Sequence, residues 1–390
     1  MPDTYCHRLV LVVCFGADAW DGLCGRHQQI MRSLVKRGHT IVYVEQTTIL
    51  TAIRKDPKLL FRRIVTKENL ILVRPLFLPL HPKFKFTERF DRVVTSWLLR
   101  RVLLTQGRKK FDVAWLSAPH FNFAASAAPA DILVYDCNDR FEDFFEDEPS
   151  RRWVLKHETE LLRKADVVFV TAKNLLTKCR AINSNVYLAT NGVPSSFFQI
   201  HHRVPLDIAA IKPPIVGFVG TFADWLDLDL LFSVASKNSD LSFLFIGPIC
   251  SRNPKLAAFK ALKNVFFLEQ KRHDEIPEYI NQLNVGLIPF KVNRLTQSVN
   301  PVKLFEYLAL GVPVVSTPLN EVLEFSDIVY VAENDDFFEK IRTAINSDTA
   351  GSRETRRAAV QQYTWDNIVA RIESVIISKL EQKAYAAKKV

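Results

Sequence analysis

No run of apolar residues in this 390-residue chain approaches the ~18 needed to span a bilayer, which argues against an integral membrane protein. The stretch Leu9 to Ala17, after His7 and Arg8, is short and rich in β-branched residues. It reads as a first buried strand and not as a signal sequence. The six cysteines (Cys6, Cys14, Cys24, Cys137, Cys179, Cys250) form no C-x-x-C pair and have no histidine at metal-ligand spacing. A zinc or dithiol motif is therefore missing, and the usage suits buried free thiols in a reducing compartment.

Disorder is excluded as well, because hydrophobic residues make up 48% and mean hydropathy is +0.01. The length calls for two domains of ordinary size. Acidic residues are scarce in one region: from Arg54 to Lys110 there are sixteen Lys/Arg against four acids, enough to account for the net charge of +10. Phenylalanines, leucines and Trp97 interleave with these bases.

Such a stretch suits an anionic membrane surface, with Arg62, Arg63, Arg100 and Arg101 as candidate membrane or acceptor contacts. A solvated helical face is the plainer alternative. Binding to nucleic acid is not expected, since no nucleic-acid motif accompanies the charge. The expected location is cytoplasmic, peripheral on the inner face of the cell membrane.

Short apolar runs alternate with helical patterns along the whole chain, the signature of a mostly parallel α/β sheet. Strands are expected at Leu9–Phe15, Thr40–Val44, Leu70–Val73, Val113–Leu116, Ile132–Asp136, Val167–Thr171 and Val186–Leu188. Polar, proline-bearing sequence at 198–214 reads as a linker. A second series follows, at Ile215–Gly220, Ser242–Ile246, Val265–Leu268, Val285–Phe290, Val312–Ser316 and Ile328–Val331. The resulting division is a domain at 1–197, the linker, a domain at 215–365 and a terminal helix at 366–390. Two doubly wound, Rossmann-like domains are expected to face each other across a cleft.

The most informative stretch is NVGLIPFKVNRLTQSVNPVKLFEYLALGVPVVST, Asn284 to Thr317. Two buried strands flank a polar loop and a helix opened by Pro301 and closed by Gly311. Lys303 lies in the first turn, where the helix dipole disfavours a cation unless an anion is near. A helix amino end at the carboxyl end of a parallel strand is a place for phosphate. Lys303 and the free N–H groups would take a diphosphate, and Glu306 would accept from ribose hydroxyls. An ordinary βαβ unit with an exposed Lys and Glu is the competing reading.

The run NPVKLFEYLALGVPVVST resembles the donor-binding segment of GT-B glycosyltransferases, which carries a Lys, a Glu three residues on and a Gly-x-Pro-Val-Val strand. Gly217 to Thr221, FLFIGP at Phe243–Pro248 and Asn191-Gly192-Val193 are similar to further segments of the same family. The resemblance spans most of residues 132–317 and fades over 46–110. It implies a nucleotide-sugar site with Gly220, Thr221, Phe222, Gly247, Asn300, Lys303 and Glu306, a UDP- or other NDP-sugar donor, and no metal or other cofactor. Asp227 and Asp229 imitate a metal-binding DxD but are expected to start a helix.

Asp139, at the exit of the strand VYDCND, is similar to the strand-exit base of inverting glucuronosyltransferases of the xanthan-assembly type. Polysaccharide-assembly transferases of the teichuronic-acid type are the other group resembled. Asp18 and Asp21 are rival bases. Retaining GT-B enzymes carry a Glu where this chain has Ser298, which leans the resemblance toward inversion. The implied reaction moves a hexose or uronic acid to a lipid-linked or polymeric saccharide. A UDP-sugar epimerase of the same fold, or a non-catalytic membrane- or polyanion-binding protein, are the alternatives.

Overall fold

The computed structural model describes the chain apart from residues 1–7, 17–18, 23–24, 47–63, 78–84, 200–202, 334–335 and 390. It divides into two compact units, one of residues 1–189 with 368–390 and one of residues 190–367.

The first unit is built on an eight-stranded sheet in the order β3-β4-β2-β1-β5-β6-β7-β8. Its strands are β1 (Leu11–Gly16), β2 (Thr40–Glu45), β3 (Ile64–Lys67), β4 (Leu70–Val73), β5 (Phe111–Leu116), β6 (Ala130–Cys137), β7 (Val167–Val170) and β8 (Val186–Leu188). All neighbours pair in parallel except β3 with β4. Helices α1 (Arg26–Lys36), α2 (Lys85–Thr105), α3 (Ala124–Ala127), α4 (Glu148–Lys164) and α5 (Lys173–Arg180) connect them. The strands are continuous apolar runs because helices cover the sheet, so both faces of β1, β2 and β5 are buried.

The second unit holds a six-stranded parallel sheet, β11-β10-β9-β12-β13-β14. Its strands are β9 (Ile215–Val219), β10 (Ser242–Ile246), β11 (Val265–Leu268), β12 (Val285–Ile288), β13 (Val314–Ser316) and β14 (Tyr330–Val331). The helices are α6 (Leu228–Lys237), α7 (Leu256–Lys260), α8 (Ile276–Ile280), α9 (Val302–Ala309), α10 (Asn320–Leu323), α11 (Phe337–Asn346) and α12 (Ala350–Val360). Two doubly wound units match the expected architecture.

Their limits differ from the expected ones. Residues 203–212 belong to the second unit, where Ile208 is buried in the core and Asp207 accepts hydrogen bonds from Lys271 Nζ at 2.7 Å and Tyr279 Oη at 3.0 Å. The last helix, α13 (Trp365–Lys388), is not a separate appendage: from Ile368 on it belongs to the first unit. There Glu373 meets His39 Nε2 at 2.8 Å and Arg37, and Lys383 meets Asp166 at 2.8 Å. Cys14, Cys137 and Cys179 are buried free thiols, whereas Cys250 is exposed. Among the described residues no helix is long and apolar enough to cross a membrane.

Candidate active site

In the second sheet the strand order reverses between β9 and β12. Loops leaving the carboxyl ends of such a pair flank the crevice where open α/β sheets bind ligands. Here those loops are Gly220-Thr221 and residues 289–301, the latter leading into α9.

Pro301 serves as the N-cap of α9 and Gly311, at φ +76°, follows its last turn, so both ends lie where the sequence places them. Tyr307 fixes the helix against the sheet: the backbone N–H of Val219 donates to its hydroxyl at 2.9 Å. The loop before α9 is braced as well. Gln297 donates to the Pro318 carbonyl at 2.9 Å and accepts from the Asn320 N–H at 3.0 Å.

Lys303 extends over Gly220, where an added Cβ would lie 3.5 Å from Lys303 Cε. Its ammonium ends 2.6 Å from the Glu306 carboxylate, which is only 1% exposed. On the other side of Glu306, His273 Nε2 stands 3.7 Å away, its ring beside Phe197. Burial opposes the charge on Glu306, but Lys303 and His273 outweigh it and hold the carboxyl below the ordinary glutamate range. The lysine at a helix amino end is thus neutralised by a carboxylate one turn on. Gly247, at φ +138°, packs against Gly220 so closely that a Cβ would fall 2.2 Å from the Gly220 carbonyl oxygen. The backbone turn therefore requires glycine.

Two of the expected ligand contacts, Phe222 and Asn300, are also engaged within the second unit. Phe222 is 2% exposed, its ring packed against Phe245, Phe259 and Phe267. Its backbone is engaged too, donating to Pro248 and accepting from Cys250 and Ser251. Asn300 accepts from the Asn191 N–H at 2.9 Å through its side chain and from Asn191 Nδ2 at 2.7 Å through its carbonyl, while its amide nitrogen lies 3.3 Å from Glu321. It ties the segment before β9 to the loop before α9. Thr221 is half-buried at the turn. Ser298 is buried and its hydroxyl donates to the Arg294 carbonyl.

The DLD pair starts a helix: Asp227 caps α6 by accepting from the Leu230 N–H at 2.9 Å, and Asp229 pairs with Lys255. Among the described residues no group of three or more His, Cys, Asp or Glu could hold a metal ion.

Asp139 follows β6 in the first unit. Asn138 Nδ2 donates to its carboxylate at 2.8 Å, and Thr171 holds the Asn138 carbonyl at 2.9 Å. Burial pushes the Asp139 carboxyl up to about 7, Arg26 opposes this, and Asp136 adds to it. A carboxyl poised there suits a general base at neutral pH. Arg26, the first residue of α1, forms a two-nitrogen clamp on the fully buried Asp136, with contacts of 3.0–3.1 Å. Of the rival bases, Asp21 is exposed on a turn and Asp18 lies outside the described residues.

Sequence reasoning did not single out Arg26, Asp136 or His273. A cation opening α1 is the same dipole conflict that drew attention to Lys303, so Arg26 was detectable; His273 sits in a polar loop with no periodicity to mark it. Arg62 and Arg63 lie outside the described residues, and Arg100 and Arg101 are exposed on α2.

Residues 213–347 match the model described as "Glycosyl transferases group 1". A Bacillus subtilis protein named as a teichuronic acid biosynthesis glycosyltransferase, TuaH, is 27% identical over 249 residues, which is 60% of this chain and 62% of that relative's length. The sucrose-phosphate synthase of Thermosynechococcus elongatus superposes with a TM-score of 0.70 at 14% identity, covering 97% of this chain and 100% of that one. A glycosyltransferase from Rickettsia africae does so at 0.66 and 13% identity, covering 96% and 99%. The chain has the GT-B glycosyltransferase fold, and its second unit is similar to the group 1 glycosyl transferases.

Proposed function

We propose that the chain transfers a hexose or uronic acid from a nucleoside-diphosphate donor to a lipid-linked or polymeric saccharide, with inversion at the anomeric carbon. The observation that carries this reading is the Lys303–Glu306 pair at the amino end of α9, seated over Gly220 at the strand-order reversal of the second sheet. A diphosphate would draw Lys303 and the first α9 N–H groups, leaving Glu306 to accept from ribose hydroxyls.

In the first unit, Asp139 takes the proton of an acceptor hydroxyl. The oxygen then attacks the anomeric carbon while its bond to the diphosphate breaks, and the diphosphate departs with the electron pair. Lys303 and the α9 dipole stabilise that departing charge, an electrostatic role that needs no divalent ion. The buried Ser298, in the place where the resemblance puts a retaining enzyme's glutamate, supports inversion. The name of the Bacillus relative supports a saccharide of teichuronic acid biosynthesis as acceptor, and the donor is a UDP- or other NDP-sugar.

The test is sugar transfer from a panel of radiolabelled nucleotide sugars to isolated lipid-linked saccharides. Transfer by the wild type with α-to-β inversion, lost in Asp139→Asn, supports the reading. Release of free or epimerised sugar without acceptor contradicts it.

A further inference from the structure

Helix α2 carries an outward face that the proposed reaction does not use. At 3.6 residues per turn, Phe90, Val93, Trp97 and Leu104 fall on one stripe, and all four are exposed, Leu104 by 78% and Val93 by 61%. The opposite face, with Leu98, Leu99, Val102 and Leu103, is buried in the first unit's core. This helix is therefore apolar on both sides, which a solvated helix is not.

Arginines border the exposed stripe on both flanks. Arg89, Arg92 and Arg100 lie along one side and Arg101 along the other, with its guanidinium 4.9 Å from the centre of the Trp97 ring. Among the described residues none of these four forms an ion pair. Between α2 and α3 runs an open groove of about 500 Å³ lined by Arg92, Val93, Ser96, Trp97, Arg100 and Ser126. Two guanidinium groups on an open groove next to a tryptophan place positive charge at the level where a lipid headgroup phosphate would lie when the stripe rests on acyl chains.

We propose that α2 docks the protein on an anionic phospholipid bilayer: the stripe Phe90, Val93, Trp97 and Leu104 enters the headgroup boundary, and Arg92 and Arg100 hold a lipid phosphate in the groove. The argument is charge complementarity together with the exposed aromatic and aliphatic side chains, and it does not depend on the proposed transfer reaction. It moves the site of membrane binding from the general basic region to one helix face.

The test is co-sedimentation of the full chain with vesicles of phosphatidylcholine alone and of phosphatidylcholine mixed with phosphatidylglycerol. The wild type should bind the anionic vesicles and leave the neutral ones. Each surface arginine contributes roughly a fivefold effect, so Arg92→Ser with Arg100→Ser should weaken binding about thirtyfold. Trp97→Ser with Leu104→Ser should also release the protein, at an unchanged thermal midpoint because both side chains are exposed. Wild-type tryptophan emission should shift to the blue on anionic vesicles; Trp97→Phe should still bind without that shift. Equal binding to both vesicle types, or serine double variants that bind as the wild type does, would overturn the proposal. So would arginine-dependent binding to an oligonucleotide in place of vesicles, or a dimer lost in Trp97→Ser with Leu104→Ser.

Discussion

The Lys303 ammonium and the Glu306 carboxylate lie 2.6 Å apart at the amino end of α9, and the carboxylate is almost fully buried. One consequence concerns stability. Removing one partner of a buried pair leaves an uncompensated charge, at a cost of roughly 3–5 kcal/mol, whereas replacing both is often neutral. His273 lowers that cost by remaining near Glu306. Lys303→Met should therefore depress the thermal midpoint, and Lys303→Met with Glu306→Gln should restore it. Because Glu306 is held below its ordinary range in the folded state, its contribution is present above the unfolded value of 4.5 and is lost as pH falls through the lower folded one. The midpoint difference between wild type and Lys303→Met should shrink in acid.

Asp139 has the opposite sign. Its folded carboxyl titrates near 7 against 3.8 when unfolded, so the folded state binds the extra proton between these values and stability falls as pH rises through that window. Asp139→Asn should raise the midpoint at pH 8 and leave it little changed at pH 4. The same substitution should slow transfer by roughly 10²–10⁴-fold, the usual weight of a general base, with donor affinity kept. In the wild type, kcat/KM should rise with pH along a limb centred near 7.

Gly247→Ala would place a Cβ 2.2 Å from the Gly220 carbonyl oxygen. Backbone must move to relieve it, so the expected loss exceeds the roughly 1–3 kcal/mol of a strained dihedral alone. Thermal denaturation and nucleotide titration should both register the change, since Gly220 carries the turn beneath Lys303.

His273→Ala should raise the donor KM about five- to tenfold with kcat unchanged, as expected for a residue that orients Glu306 and takes no part in bond breaking. Steady-state kinetics separate this from a catalytic role, in which kcat would fall.

Transfer should be insensitive to chelators. Asp227 caps α6 and Asp229 is paired with Lys255, so the DLD sequence is occupied with structure. Rates measured with and without EDTA should agree.

Much of this was legible in the chain. Buried parallel strands are continuous apolar runs, and all thirteen expected strands coincide with observed ones to within two residues at both ends. The edge strand β3 was missed because it is four residues long, partly exposed and antiparallel, so it lacks the apolar run that marks the others. Residues 203–212 looked like a linker by composition, yet one buried side chain, Ile208, and the contacts of Asp207 fasten them to the second unit. At the site, charged residues were easier to place than neutral ones. Lys303 conflicts with a helix dipole and so announces a partner, while Phe222 beside a glycine turn reads equally well as ligand contact or core, and only packing decides for the core.

The most direct measurement is calorimetric titration of nucleoside diphosphates into the full chain and into Lys303→Met with Glu306→Gln, the variant expected to fold normally. The account predicts that one diphosphate binds the wild type at micromolar concentration and that the folded double variant no longer binds it. Equal binding by both proteins, or no binding of any nucleoside diphosphate to the wild type, would contradict it.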